Sequence, residues 1–269
     1  MQKLFSLILF FTCTNLFAQD SFQLAKPLVK YESVFFKDSA KLELKFAQSG
    51  AKIYFDIFNR FPTGPFPEVT EKSSLYKKPF VLKQSFYTVR AKVFAKGFTP
   101  SETIQYSFVK DGKRIKKIIT TAPNPKYPGS GDSTLFDNKG GIENASSKTW
   151  MGFDSDTVWI NVELPQKEKI GGVLLNFLRN ESSWIFLPKK IVALYYDDEK
   201  NVYDPFGTET IQSEVESPAG CSMRLITPKD KIITTWKISF MIITVNKMPD
   251  WHLAKGQHAW CFIDEIKVY

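Results

Sequence analysis

The chain of 269 residues has only two histidines, His252 and His258, and three cysteines, Cys13, Cys221 and Cys261. HExxH, paired Cys-x-x-Cys, Walker and G-x-S-x-G patterns are all missing, so the common zinc, phosphate and nucleophile sites have no supporting spacing. Asp264-Glu265 is an adjacent acid pair. On a regular strand neighbouring side chains point to opposite faces, so the two would not converge on one glycosidic bond. No enzyme is expected. Beyond the first twenty residues, no apolar run approaches the ~20 residues that a membrane helix needs, so the chain is not expected to span a bilayer. Cysteines are too few for a disulfide scaffold. An oxidising compartment permits a Cys221–Cys261 bridge. Cys261 sits within Ala259-Trp260-Cys261-Phe262-Ile263, where a buried free thiol acts as a small hydrophobe. No stretch offers an amphipathic helix of three turns.

What is present begins with a leader. Lys3 precedes the apolar run Leu4 to Phe11, and Ala18 closes the segment before Gln19-Asp20. That is the charged, apolar, small-residue order of a signal peptide over residues 1–18. It places the mature chain in the periplasm, on the cell surface or in the medium. Bulky Phe10-Phe11-Thr12 before Cys13 disfavours a lipid anchor there.

The net charge is +8, unevenly divided. Residues 19–121 carry 19 Lys and Arg against 9 Asp and Glu; residues 122–269 carry 16 against 19. The basic half does not read as a nucleic-acid surface. Its lysines alternate with core residues, as in Lys41-Leu42-Glu43-Leu44-Lys45-Phe46, which is the wet face of a half-buried strand.

That period of two recurs. Ile53, Phe55 and Ile57 alternate, and further strands are expected at 80–82, 87–94 and 103–109. Residues 27–110 therefore read as one β-sandwich, interrupted by the proline-rich stretch 61–67. A linker is expected at 111–121. Residues 122–269 read as a second sandwich, its clearest strands at 158–164, 172–178, 191–195, 235–245 and 262–268. The fold class is all-β, with two β-sandwich domains. Long polar loops at 129–149, 179–188 and 246–259 interrupt the second, and function on β scaffolds concentrates in such loops.

Two of these loops carry tryptophan. Trp184 lies in 179–188 beside Arg179, Asn180 and Glu181, and Trp251 lies in 246–259 beside Asp250 and His252. A flat indole can stack on the C–H face of a sugar ring while charged and amide side chains bond to its hydroxyl rim. The candidate carbohydrate-binding residues are Arg179, Glu181, Trp184, Asp250, Trp251 and His252. The plainer alternative folds both tryptophans inward as loop anchors. Trp150 and Trp260 flank strands and are expected in the core. Asp137-Asn138-Lys139-Gly140-Gly141 is an acidic turn of the kind that holds calcium through carboxylate and carbonyl oxygens, and is also a common bare turn.

Two resemblances bear on these patterns. Leu75-Tyr76-Lys77-Lys78-Pro79-Phe80-Val81-Leu82, followed by Thr88-Val89-Arg90-Ala91 through Gly97-Phe98-Thr99-Pro100-Ser101, resembles the C-terminal immunoglobulin-like domain of chitobiases and β-hexosaminidases. That resemblance implies a spacer. Leu135-Phe136-Asp137-Asn138-Lys139-Gly140-Gly141, Trp150-Met151-Gly152-Phe153 and Val162-Glu163-Leu164 resemble the opening of discoidin, or coagulation-factor type C, domains, which are jelly rolls. Trp184 to Pro188, Pro249 to His252 and Ala259 to Ile266 are similar to the version appended to family 20 β-N-acetylhexosaminidases. In that family the turn acid and a late glutamate help hold one structural calcium, which implies Asp137 and Glu265 here, with Gly140 in the same turn. Asn138 for the usual Gly and Glu163 for the usual Asp depart from the pattern. No catalytic barrel accompanies the two modules. The resemblance implies an exported, non-catalytic glycan-binding protein taking an N-acetylhexosamine- or galactose-type sugar. A module binding a protein partner and an accessory of a hexosaminidase system are the alternatives.

Overall fold

The computed structural model describes residues 22–61, 64–212, 219–229 and 232–269; the expected signal peptide lies outside them. The described residues hold seventeen strands, two 3-10 turns and no α-helix. In the first module the strands are β1 (Leu28–Lys30), β2 (Phe35–Phe36), β3 (Ala40–Lys45), β4 (Lys52–Phe58), β5 (Ser74–Leu75), β6 (Phe80–Leu82), β7 (Phe86–Phe94) and β8 (Ile104–Lys110). They form a three-stranded sheet, β1-β3-β6, and a five-stranded sheet, β2-β8-β7-β4-β5. The alternation of β3 becomes burial: Ala40, Leu42 and Leu44 are buried while Lys41 and Lys45 face water. Leu42, Val89, Ala91, Val93 and Phe108 fill the space between the sheets.

In the second module the strands are β9 (Lys117–Thr120), β10 (Met151–Phe153), β11 (Thr157–Ile170), β12 (Val173–Arg179), β13 (Lys190–Asp197), β14 (Val202–Thr210), β15 (Gly220–Ile226), β16 (Ile233–Ile243) and β17 (Cys261–Val268). Their sheets are ordered β10-β17-β12-β15 and β14-β13-β16-β11-β9. The linker expectation needs correction. Residues 117–120 pair antiparallel with β11, so the connector ends as an edge strand, and Ile118 joins the second core. Three strands among 117–120, 202–210 and 220–226 were not expected from alternation. All three are edge strands. In β14, Pro205 sits at a bulge opposite Leu194, a place where a strand tolerates a residue without an N–H.

The two modules share a core. Leu174, carried by β12, belongs to the buried cluster of the first module, and Met223, Leu225 and Tyr269 pack against it. Tyr269 meets the Phe86 ring at 4.9 Å and donates from Oη to the Lys110 carbonyl at 3.0 Å. Close approach at this seam needs glycine. A Cβ on Gly141 would stand 2.2 Å from a Val34 methyl, and its φ of +73° is a left-handed conformation that other residues rarely adopt. The outer face of β10-β17-β12-β15 is therefore covered by the first module, and β17 is buried at every position.

All six tryptophans lie in the second module, so indole fluorescence reports on that module alone. Phe35→Ala, in the first module, removes a side chain 2% exposed at the seam. It is expected to cost about 3–5 kcal/mol and to lower the urea midpoint seen by tryptophan fluorescence. An unmoved fluorescence midpoint, with circular dichroism shifted, would show the modules to be energetically independent.

Candidate functional site

The loop after β12 is tightly closed. Asn180 and Ile185 exchange backbone hydrogen bonds at 2.9 and 3.0 Å, spanning a 3-10 turn at Glu181–Ser183. Closing it forces Trp184 into the left-handed region, φ 67°, a costly backbone for a bulky residue. The Trp184 carbonyl accepts from Trp260 N–H at 2.8 Å, and Phe186 N–H donates to the Trp260 carbonyl at 2.9 Å. The 246–259 loop closes similarly, with Met248 and Gln257 joined at 2.9 Å. Buried Phe186, Met248 and Ala259 hold the two loops together.

His252 joins them by polar contacts as well. Ala254 N–H donates to Nδ1 at 3.0 Å, which leaves Nε2 to carry the proton toward the Glu181 carbonyl at 2.9 Å. The ring is thus a brace between the two loops. Trp251 leans on Phe186, ring centres 6.1 Å apart. Both Trp184 and Trp251 remain 42% exposed, held by backbone bonds and, for Trp251, ring contacts with Phe186 and His252 instead of by burial.

Beside these loops lies a small cleft of about 170 Å³. Phe186, Leu187, Pro188, Ile211 and Val245 give it an apolar floor, and its charged lining is Arg179, Glu181, Lys189 and Lys247. Of the expected residues, Arg179 and Glu181 line the cleft; Trp184, Trp251 and His252 lie on the adjoining loops without lining it, and Asp250 is exposed. Burial raises the Glu181 carboxyl above its usual range, opposed by Arg179 and His252. Lys189 and Lys247 were not anticipated: each flanks a strand end, and only the packing of β13 against β16 brings them to one cleft. His258 does not join His252; its Nε2 faces Asp156 Oδ1 at 3.1 Å.

The oxygen cluster expected for calcium forms at the seam between the modules. Here strict alternation fails. A bulge at Asp264 on β17, opposite the Asn176–Phe177 step of β12, lets two residues of β17 stand between core-facing Ile263 and Ile266. Both Asp264 and Glu265 are consequently buried on the side facing the first module. Asp264 accepts from Gly141 N–H and Asn176 Nδ2, each at 2.7 Å, yet burial still pushes its pKa well up. Glu265 is pushed up to about 7 by burial, against the pull of Lys267.

Lys267, 2% exposed, supplies the positive charge. Its Nζ contacts Asn138 Oδ1 at 2.7 Å, Glu265 Oε1 at 2.8 Å and Asp111 Oδ1 at 3.0 Å. Asp137 instead accepts from Lys139 N–H at 2.8 Å, and Gly140 lies against Asp264 and Phe35. Glu265 Oε2 and Asn176 Oδ1 have no partner, but two oxygens fall short of the six to eight that calcium takes. Among the described residues no three His, Cys, Asp or Glu side chains are grouped to hold a metal. As folded, Asp137, Gly140 and Glu265 do not fit a divalent ion: Glu265 is paired with the Lys267 ammonium, Asp137 is turned to the Lys139 N–H, and Gly140 lies against Asp264 and Phe35. Cys221 and Cys261 are both free.

No protein-family model matches the chain, and no curated protein does. Solved structures resemble part of the chain. The family 32 carbohydrate-binding module of Streptococcus pneumoniae EndoD is 14% identical, TM-score 0.39, covering 58% of this chain and 96% of that one. The family 32 module of C. perfringens NanJ, solved with galactose, is 14% identical, TM-score 0.36, covering 56% and 90%. A pectin-binding module is 18% identical, TM-score 0.35, covering 58% and 91%. The likeness concerns the arrangement of strands.

Lys267→Met strands two carboxylates at a buried seam, a change expected to cost about 3–5 kcal/mol. Scanning calorimetry should show its Tm lowered on the order of 10 °C. The Tm of the unaltered protein should be the same in calcium and in chelator; a fall on chelation would return the cluster to calcium.

Proposed function

We propose that the chain is an exported, non-catalytic carbohydrate-binding protein whose second sandwich holds a glycan at the cleft beside the 179–188 and 246–259 loops. The observation that carries this reading is the pair of half-exposed indoles, Trp184 and Trp251, held on separate but cross-braced loops that contribute Glu181 and Pro249 to an apolar-floored cleft. Indole faces left in water cost free energy unless a ligand covers them. A pyranose ring, apolar on one face and hydroxylated at its edge, matches an aromatic surface beside charged side chains. Pre-formed loops lose little entropy on binding, so the braces of His252 and Trp260 favour affinity. A galactose- or N-acetylhexosamine-type unit is the sugar proposed.

A second reading has one specific observation in its favour. Leu253, next to the bracing histidine, is fully exposed at the loop tip, and with Trp251 it offers an apolar surface to a protein partner. Glycan binding accounts for the cleft as well as for the tip, and is preferred.

Retention on a glycan array tests the reading. Trp251→Ala and Trp184→Ala are each expected to weaken binding about tenfold, equivalent to ~1.4 kcal/mol, with Tm nearly unchanged. Unaltered retention in both variants, or unfolding of both, would remove the tryptophans from the site. Retention of no glycan by a folded protein that captures a protein partner would favour the second reading.

A further inference from the structure

We infer that the cleft selects an anionic glycan, one bearing carboxylate or sulfate on its pyranose rings; this rests on the carbohydrate reading above. Charge carries the inference. The second module is acidic overall, 16 Lys and Arg against 19 Asp and Glu over residues 122–269. Among the described residues the lining of its cleft reverses that balance, with Arg179, Lys189 and Lys247 against Glu181. A neutral sugar gives no reason to gather three cations at one cleft on an acidic domain. An acid group does: cations above a low-dielectric apolar floor attract an anion more strongly than the same charges on open surface.

The cations approach from three chain segments, which spreads them round the opening. Arg179 closes β12, Lys189 precedes β13, and Lys247 follows β16. Lys189 is positioned, its Nζ donating to Asn246 Oδ1 at 3.0 Å. That neutral acceptor orients the ammonium without cancelling its charge. Lys247 is exposed and can follow a ligand along the rim. Arg179 and Glu181 are near enough to influence one another, so Arg179 offsets that carboxylate. The remaining formal charge belongs to the two lysines.

The test uses the mature protein and affinity electrophoresis or calorimetry against three polymers: polygalacturonate, a sulfated galactan and a neutral galactan. At least one anionic polymer should bind about tenfold or more tightly than the neutral one, and that preference should shrink as NaCl rises from about 50 to 500 mM. Binding of polygalacturonate alone assigns carboxylate, and binding of the sulfated polymer alone assigns sulfate. The double variant Lys189→Met, Lys247→Met should bring the anionic-to-neutral ratio down about tenfold. Lys30→Met and Lys41→Met, exposed on the first module, should leave the ratio unchanged and control for net charge. Equal or tighter binding of the neutral galactan overturns the inference while leaving the carbohydrate reading intact. Binding of none of a broad glycan set overturns the reading itself. Loss of preference in the first-module variants equal to that in the cleft variants would mean diffuse charge and would also overturn the inference.

Discussion

A lysine ammonium with almost no access to water governs how this chain is assembled. Burying an unpaired charge costs several kcal/mol even after relaxation, so Lys267 is compatible with the fold only while Asp111, Asn138 and Glu265 stay within hydrogen-bond reach. Those three residues come from the end of the first module, the acidic turn and the last strand. One buried cation thereby ties together parts of the chain more than 150 residues apart. The carboxylates need it equally, since Glu265 and Asp264 are sealed from solvent by the same seam. Pairing here acts through the penalty for breaking it, and so specifies geometry more than it adds net stability.

The seam changes the meaning of both modules. The first is more than a spacer: its five-stranded sheet covers one face of the second sandwich, and Leu174 is a shared core residue. The second becomes a three-layer arrangement along β17, which explains why that strand carries Asp, Glu and Lys and yet has no exposed position. The cleft lies toward the other end of β12. Leu174 pairs with Lys267, and Arg179 is five residues further along, roughly 17 Å at strand rise. The polar seam and the loop end are thus separate devices on one strand, the first holding the modules and the second open to solvent.

Much of this was readable from residue pattern, and the failures have identifiable causes. Strands whose inner and outer faces differ in solvent, such as β3 with Leu42 and Leu44, show their alternation plainly. Edge strands do not, because one side of the ladder is unpaired and the packing demand on each side chain is weaker; β9, β14 and β15 were missed for that reason. The acid pair Asp264-Glu265 was assigned to opposite faces by the period of two, and a bulge opposite Asn176 puts both toward the seam. At the loops, Trp184, Trp251 and His252 were identifiable as residue types suited to a sugar. Their division into exposed indoles and a bracing imidazole was not, since it depends on which carbonyl lies within reach of which ring nitrogen.

By itself, the sequence determined that the chain is all-β and that the second half carries its distinctive side chains in long loops. Strand alternation and turn residues are local properties, written over a few positions. Only the tertiary structure decided that an internal ammonium stands among Asp111, Asn138 and Glu265. Only it brought Arg179, Lys189 and Lys247 to one cleft. Both outcomes depend on contacts between residues far apart in the chain, where burial and charge are set by whichever segment happens to lie opposite.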